Sequence, residues 1–272
     1  MWHAAGPFRP RLASLPVLAL VALALAACPD SSGTGPEGGR RPEQDRGGVV
    51  LEKDVALLCY RAEAKAPLPP TRVDLRTRIG LLRDVAVEPL RWVCEPGFKA
   101  HVEDDVPEKP PRVLPLACYP IDRRRVGLPA SLTDHNGYFD EKVIVDESLL
   151  LCNPGLELAG VGDLPTNLAP HTGHLVGFSL TAGYIPLTTV FVRDRWGVTE
   201  VAFERSFGLL ERAVKNELHD QLPPGPPYHC YHVDRARPIE PRSLQLDDQF
   251  ASMTVDQGRP EVFCDLATRT LE

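Results

Sequence analysis

Two histidine-bearing clusters, two acidic turns and one serine are where side-chain type and spacing point towards chemistry. His171-Thr172-Gly173-His174 offers two imidazoles in a turn-like stretch, as a metal site needs, but no third ligand stands at a fixed spacing. His229-Cys230-Tyr231-His232 lies in a strand-like run, where alternation sends the two histidines to opposite faces. Asp134-His135-Asn136-Gly137 and Asp247-Asp248 carry oxygen ligands near turns, without the spacing and closing glutamate of a calcium loop. Asp and Asn also start turns by bonding the backbone two residues on. Ser179 sits in Gly177-Phe178-Ser179-Leu180-Thr181, which lacks the second glycine of a nucleophile elbow. No phosphate loop, dinucleotide fingerprint or His-Glu-x-x-His helix is present. The expectation is a protein without metal, cofactor or catalytic residues.

The cysteines carry more information, because their spacing recurs. Cys59 and Cys94 lie 35 residues apart, Cys118 and Cys152 34, and Cys230 and Cys264 34. A third copy between the second and the last has no cysteine. Aligning Asp194-Arg195-Trp196 with Asp248-Gln249-Phe250 puts Leu210 where the last copy has Cys264, and counting back 34 reaches Val176. Both cysteines of one copy are missing together, so each pair is expected to bond within its own copy. Six cysteines allow fifteen connectivities; the spacing favours Cys59–Cys94, Cys118–Cys152 and Cys230–Cys264. Each such bridge contributes roughly 3–4 kcal/mol by chain entropy, a large share for a unit too small to bury much core.

These staples must be positioned by strands. Short β-branched runs punctuated by Pro and Gly predict an all-β fold. Its tandem four-stranded, disulfide-closed repeats are expected to pack as sandwich or barrel-like units. In the second copy the strands fall near 114–119, 130–133, 142–146 and 148–152. The aromatic after the first cysteine recurs as Tyr60, Tyr119 and Tyr231, with Phe178 in the third copy, and alternation places it opposite its cysteine, packed between repeats. Phe207, Leu210, Val214 and Leu218 recur at intervals of 3 and 4, which predicts a short helix from about 205 to 220. Residues 51–160 hold repeats 1 and 2, and 173–272 repeats 3 and 4. Linkers run from Glu103 to Pro111, Leu158 to Gly173 and Leu222 to Pro227.

The seventh cysteine has a different setting. Arg9 and Arg11 precede an apolar run from Leu15 to Ala27, so residues 1–27 read as a signal peptide. Leu25-Ala26-Ala27-Cys28 resembles the lipobox of bacterial lipoproteins. The resemblance implies lipidation at Cys28 and attachment to the envelope membrane through acyl chains, more than one of which is needed for firm anchoring. Residues 28–50 form the lipidated cysteine and a polar tether of roughly 20 residues with a reach of about 25 Å. Losing Arg9 and Arg11 leaves 28 basic against 37 acidic residues, a net charge of −9, which offers no footprint for nucleic acid.

Cys-Tyr, then Asp-Gln-Phe, a Val-containing strand, a Pro and a closing Cys resembles an uncharacterised repeat family of predicted exported bacterial proteins. The fourth copy carries it best, in Cys230-Tyr231, Asp248-Gln249-Phe250, Val255, Pro260 and Cys264. The second keeps Cys118-Tyr119, Asp134 and Leu151-Cys152-Asn153-Pro154, with His135-Asn136 in place of Gln-Phe. The first has Pro89 and Pro96 around Cys94 but no triplet. The third has only Asp194-Arg195-Trp196. The resemblance implies an exported β-rich module and brings no activity with it. Together with the anchor, it points to an envelope lipoprotein with a structural or protein-interaction role. The alternative is a ligand- or glycan-binding surface lipoprotein using Trp92, Tyr184 and Trp196. Partners are thus the membrane through the lipid and an envelope protein or glycan.

Overall fold

The computed structural model describes residues 55–134, 140–158, 173–216 and 219–272. Cys28, the signal peptide, the tether and His171 lie outside them, as do His135, Asn136 and Gly137. The described chain forms fifteen strands in one antiparallel hydrogen-bonded network. They are β1 (Val55–Ala64), β2 (Thr71–Thr77), β3 (Leu81–Val87), β4 (Trp92–Ala100), β5 (Leu116–Pro120), β6 (Arg125–Asp134), β7 (Asp140–Pro154) and β8 (Leu156–Leu158). Then follow β9 (His174–Thr181), β10 (Tyr184–Asp194), β11 (Gly197–Lys215), β12 (Tyr228–His232), β13 (Arg235–Ala236), β14 (Arg242–Asp247) and β15 (Ser252–Leu271).

Eight of these strands close on themselves. β1 pairs β4, β4 pairs β5, β5 pairs β7, β7 pairs β9, β9 pairs β11, β11 pairs β12, β12 pairs β15, and β15 returns to β1. The result is a barrel to which four successive quarters of the chain each give an opening and a closing strand. Between the two, every quarter sends out a hairpin that pairs with the end of the closing strand of the opposite quarter. β2 meets Ala213–Lys215 of β11, and β10 meets Phe98–Ala100 of β4. β6 meets Ala267–Leu271 of β15, and β14 meets β8 beyond the end of β7.

Alternation along the barrel strands decides what lies inside. Leu57, Cys59, Trp92, Cys94, Leu116, Cys118, Leu150, Cys152, Leu175, Leu210, Cys230, Val262 and Cys264 form one buried cluster. An eight-stranded barrel is just wide enough to be filled by side chains, and here the filling includes three cystines. Cys59–Cys94, Cys118–Cys152 and Cys230–Cys264 are bonded, each between residues directly opposite in register. The next residue of each strand points outward, beneath the crossing hairpins. There Tyr119 and Phe178 join one outer core, and Tyr60 and Tyr231 another.

The helix expected from 205 to 220 is a correction: β11 runs as strand through Lys215, carrying Phe207, Leu210 and Val214. Residues 208–214 are buried whichever way they point. A strand covered on both faces reads as a continuous apolar run, in which helical spacings arise by chance. The separate strands expected at 142–146 and 148–152 are one strand, β7, with irregular register against β9 between Val145 and Leu150. In the third quarter, Leu210 stands in the closing-cysteine position but its counterpart is Gly177, not Val176, since Val176 pairs with Glu211. A Cβ on Gly177 would lie 3.0 Å from Leu210 Cδ2, so the leucine fills the space a cystine takes elsewhere.

Candidate functional site

The outward layer beneath the hairpins is where polar chemistry concentrates. Tyr60 and Tyr119, each following an opening cysteine, reach the aspartate that begins the turn of the opposite hairpin. Tyr60 donates to Asp194 Oδ2 at 2.5 Å, and Tyr119 to Asp248 Oδ2 at 2.8 Å. The other carboxylate oxygen closes its own turn, Asp194 Oδ1 taking the Trp196 N–H and Asp248 Oδ1 those of Phe250 and Ala251. Turn formation is thus half of the aspartate's role, and tying the hairpin to the barrel wall is the other half. Phe250 packs edge-on against Tyr119 at 5.2 Å between ring centroids.

A second polar position follows each closing residue: Glu95, Asn153, Glu211 and Asp265, all buried. Four residues further on stand Lys99, Glu157, Lys215 and Arg269. The basic members reach the preceding quarter around the ring. Lys99 pairs with Asp265, Arg269 Nε lies 3.1 Å from Glu211 Oε1, and Lys215 Nζ donates to Asn153 Oδ1 at 3.3 Å. Where Glu157 stands in the basic position, Glu95 takes Arg195 instead, at 2.6 Å. Burial pushes the Glu95, Glu211 and Asp265 carboxyls up, against the pull of these cations. Burial, reinforced by the Glu95 charge, lifts Asp194 to about 7.

Only the Asn153 station puts an amide where the others have a carboxylate, and it is the richest network. Asn153 Oδ1 lies 3.0 Å from His174 Nδ1, and its Nδ2 donates to Asp248 Oδ2 at 3.1 Å. Lys215 Nζ sits 4.2 Å from the centroid of the Phe250 ring. Gln249, exposed, approaches His174 Nε2 at 3.5 Å. Burial pushes the Lys215 ammonium down to about 8 and, helped by the Lys215 charge, the His174 imidazolium down to about 4. Lys215, His174 and Asp248, which can carry a proton, thus all bond the one amide of Asn153, which can accept a nucleophile.

The other expected site residues fall elsewhere. His229 is buried on one face of β12, bonded to Tyr231 Oη at 2.9 Å and Ser206 Oγ at 3.0 Å, and burial pushes it down to about 3. His232 is exposed on the other face, edge-on to Phe207. Ser179 Oγ bonds the backbone of Glu147 where β7 and β9 pair. Among the described residues no group of three or more His, Cys, Asp or Glu is placed to hold a metal ion. Trp92 is in the barrel core with its Nε1 on Glu261, Trp196 is flanked by the guanidiniums of Arg195 and Arg242, and Tyr184 is exposed. The three are not brought together.

Asn153 and Lys215 were not among the residues expected from sequence. The signal available was the recurring acid and base four residues apart just after the closing position, in Glu95/Lys99, Glu211/Lys215 and Asp265/Arg269. Comparison with family models, curated proteins and solved structures finds no match to this chain.

Proposed function

We propose that the chain is a lipid-anchored bacterial envelope protein whose barrel is a fourfold duplicated structural or protein-interaction module, without catalytic turnover. Three buried disulfides mark the folded part as extracytoplasmic, since such bonds persist in oxidising compartments. The observation that carries the reading is the filled interior: the cavity among the cystines measures ≈ 10 Å³, about the room of one water. With the space among the cystines filled, the outer surface is what remains to meet partners. Duplication is supported by the like place of each opening strand, hairpin and closing strand in the ring. The anchor rests on the lipobox-like ending at Cys28.

On that surface, exposed Leu187 borders an open groove of ≈ 330 Å³ with Thr189, Glu200, Ala202, Arg235 and Arg237. Tyr184, on the same strand, is also exposed. The test has two arms. Cys28→Ser is expected to move the exported protein from the membrane to the soluble fraction; a variant that stays membrane-bound overturns the anchor. In-cell crosslinking of the full chain is expected to give a discrete envelope adduct, weakened by Leu187→Asp and Arg235→Glu. No adduct, or one indifferent to every outer-surface substitution, overturns the interaction role.

A further inference from the structure

The Asn153 station holds a nucleophile, an electrophile and a proton carrier in one bonded set. We infer that Lys215 and Asn153 become covalently joined, the Lys215 ε-amine displacing ammonia from the Asn153 side-chain amide to form an amide cross-link between β11 and β7. The inference is independent of the proposed function and concerns a modification of the chain by itself.

The geometry supplies each part of the step. Lys215 Nζ is 3.3 Å from Asn153 Oδ1, so Cγ, one carbonyl bond of about 1.23 Å beyond, is within about 4.5 Å, and a side-chain rotation brings it into reach. His174 Nδ1, 3.0 Å from the same oxygen, is placed to donate to the negative charge that Oδ1 acquires as Nζ adds. Asp248 Oδ2, 3.1 Å from Nδ2, lies against the leaving nitrogen, with the Tyr119 hydroxyl on the same oxygen. The electron pair of neutral Nζ forms the new C–N bond. Asp248, whose charge already acts on Lys215, takes up the proton lost from Nζ and passes it to Nδ2, which it bonds. Collapse of the tetrahedral centre restores C=O, breaks Cγ–Nδ2 and releases ammonia. No oxidant, reductant or cofactor enters the balance.

The surroundings favour it. Asn153 is fully buried, and Phe250 lies beside Nζ, which limits competition from water. The lowered basicity of Lys215 leaves a substantial neutral fraction near pH 8. Its position also makes structural sense. β9 lies between β7 and β11, in the quarter that has Gly177 and Leu210 instead of a cystine. The bond would close a loop of 62 residues across that quarter.

Peptide mapping of the full-length exported protein, reduced and digested after native incubation between pH 6 and 9, tests this. The expected product is a branched peptide joining Asn153 to Lys215, lighter than its two parts by one ammonia (about 17 Da). Its rate of formation should rise as pH climbs through 8. Lys215→Arg removes the product while keeping the cation, and Asp248→Asn slows its formation at least tenfold. Recovery of only unbranched peptides from disulfide-complete wild-type protein held at pH 9 overturns the inference, whatever the variants do. A branched peptide that forms equally fast in Asp248→Asn overturns the proton-carrying role.

Discussion

The third quarter of the barrel and the other three reach the same strand arrangement with different chemistry inside it. Where three quarters carry a cystine across the opening and closing strands, the third carries Gly177 against Leu210, and the leucine takes up the room. Outside the wall the contrast continues: Phe178 replaces the tyrosine, and Lys215 faces an amide rather than a carboxylate. The strand pairing is indifferent to these changes. Alternation and ring closure place the side chains; the disulfides then fasten a geometry that packing has already set.

That comparison can be broken most severely at the staples. Cys118→Ala/Cys152→Ala should lower unfolding free energy by about 2–5 kcal/mol, read from urea denaturation, since it frees a loop of 34 residues. Cys59→Ala/Cys94→Ala, with a loop of 35, should lose about the same. A much smaller loss at either pair would mean that its disulfide contributes no more than a buried apolar contact. The converse change sharpens the contrast. Gly177→Cys/Leu210→Cys puts a fourth staple where backbone register already matches, and should raise stability by about 2 kcal/mol under non-reducing conditions. The close approach of Leu150 Cβ to the Gly177 position, at 3.0 Å, limits the gain. A fourth disulfide confirmed by mapping but giving no gain would show that the third quarter is built around Gly177.

How much of this was legible follows from the range of the interactions. The disulfide pairing was readable because the spacing itself recurs, and the outward aromatics because strand alternation is local. Counting back 34 residues from Leu210 lands on Val176, one residue before Gly177, since nothing in sequence marks the shorter interval that the glycine allows. The false helix at 205–220 has the same root: β11 is covered on both faces, which erases the alternation that would identify it. Ring closure and the crossing of hairpins between opposite quarters join segments from 87 residues apart, as Leu158 and Gln245 are, to 207 apart, as Leu57 and Cys264 are, and Tyr60 meets Asp194 across 134. No local pattern encodes that pairing. The Asn153 network likewise draws on four strands and one turn.

The two tyrosine–aspartate stations should also differ in their response to pH. Asp194 binds its proton more tightly folded, at about 7, than unfolded. Its contribution to stability is therefore fullest below the ordinary carboxyl range near 4 and is lost as pH rises through 7. At the Asn153 station the sign reverses. His174 is held neutral down to about 4, so its contribution is present above the ordinary imidazole value near 6.5 and lost as pH falls through 4. Lys215, held at about 8, disfavours folding while charged and releases that cost as pH rises above 8. Urea midpoints measured from pH 4 to 9 should show Asp194→Asn flattening the decline between 4 and 7. His174→Gln should flatten the loss on acidification instead. Identical pH profiles for both variants and wild type would contradict the contrast.

The finest test removes one hydroxyl from each station. Tyr119→Phe deletes one of two donors to Asp248 Oδ2, leaving Asn153 Nδ2 on that oxygen and two backbone N–H groups on the other. The carboxylate stays well served, and the cost should be about 1 kcal/mol. Tyr60→Phe strips Asp194 Oδ2 of its hydroxyl donor in a more deeply buried setting beside Glu95. At pH 5, where Asp194 is protonated, the acceptor is neutral and the loss should again be about 1 kcal/mol. At pH 8 the same oxygen is charged, and hydrogen bonds to charged groups contribute about 1.5–3 kcal/mol, so the loss should grow accordingly. A Tyr60→Phe cost that does not change between pH 5 and 8 would mean that burial and the Glu95 charge do not hold Asp194 in the protonated state at the lower pH. The stations would then differ only in composition and not in charge.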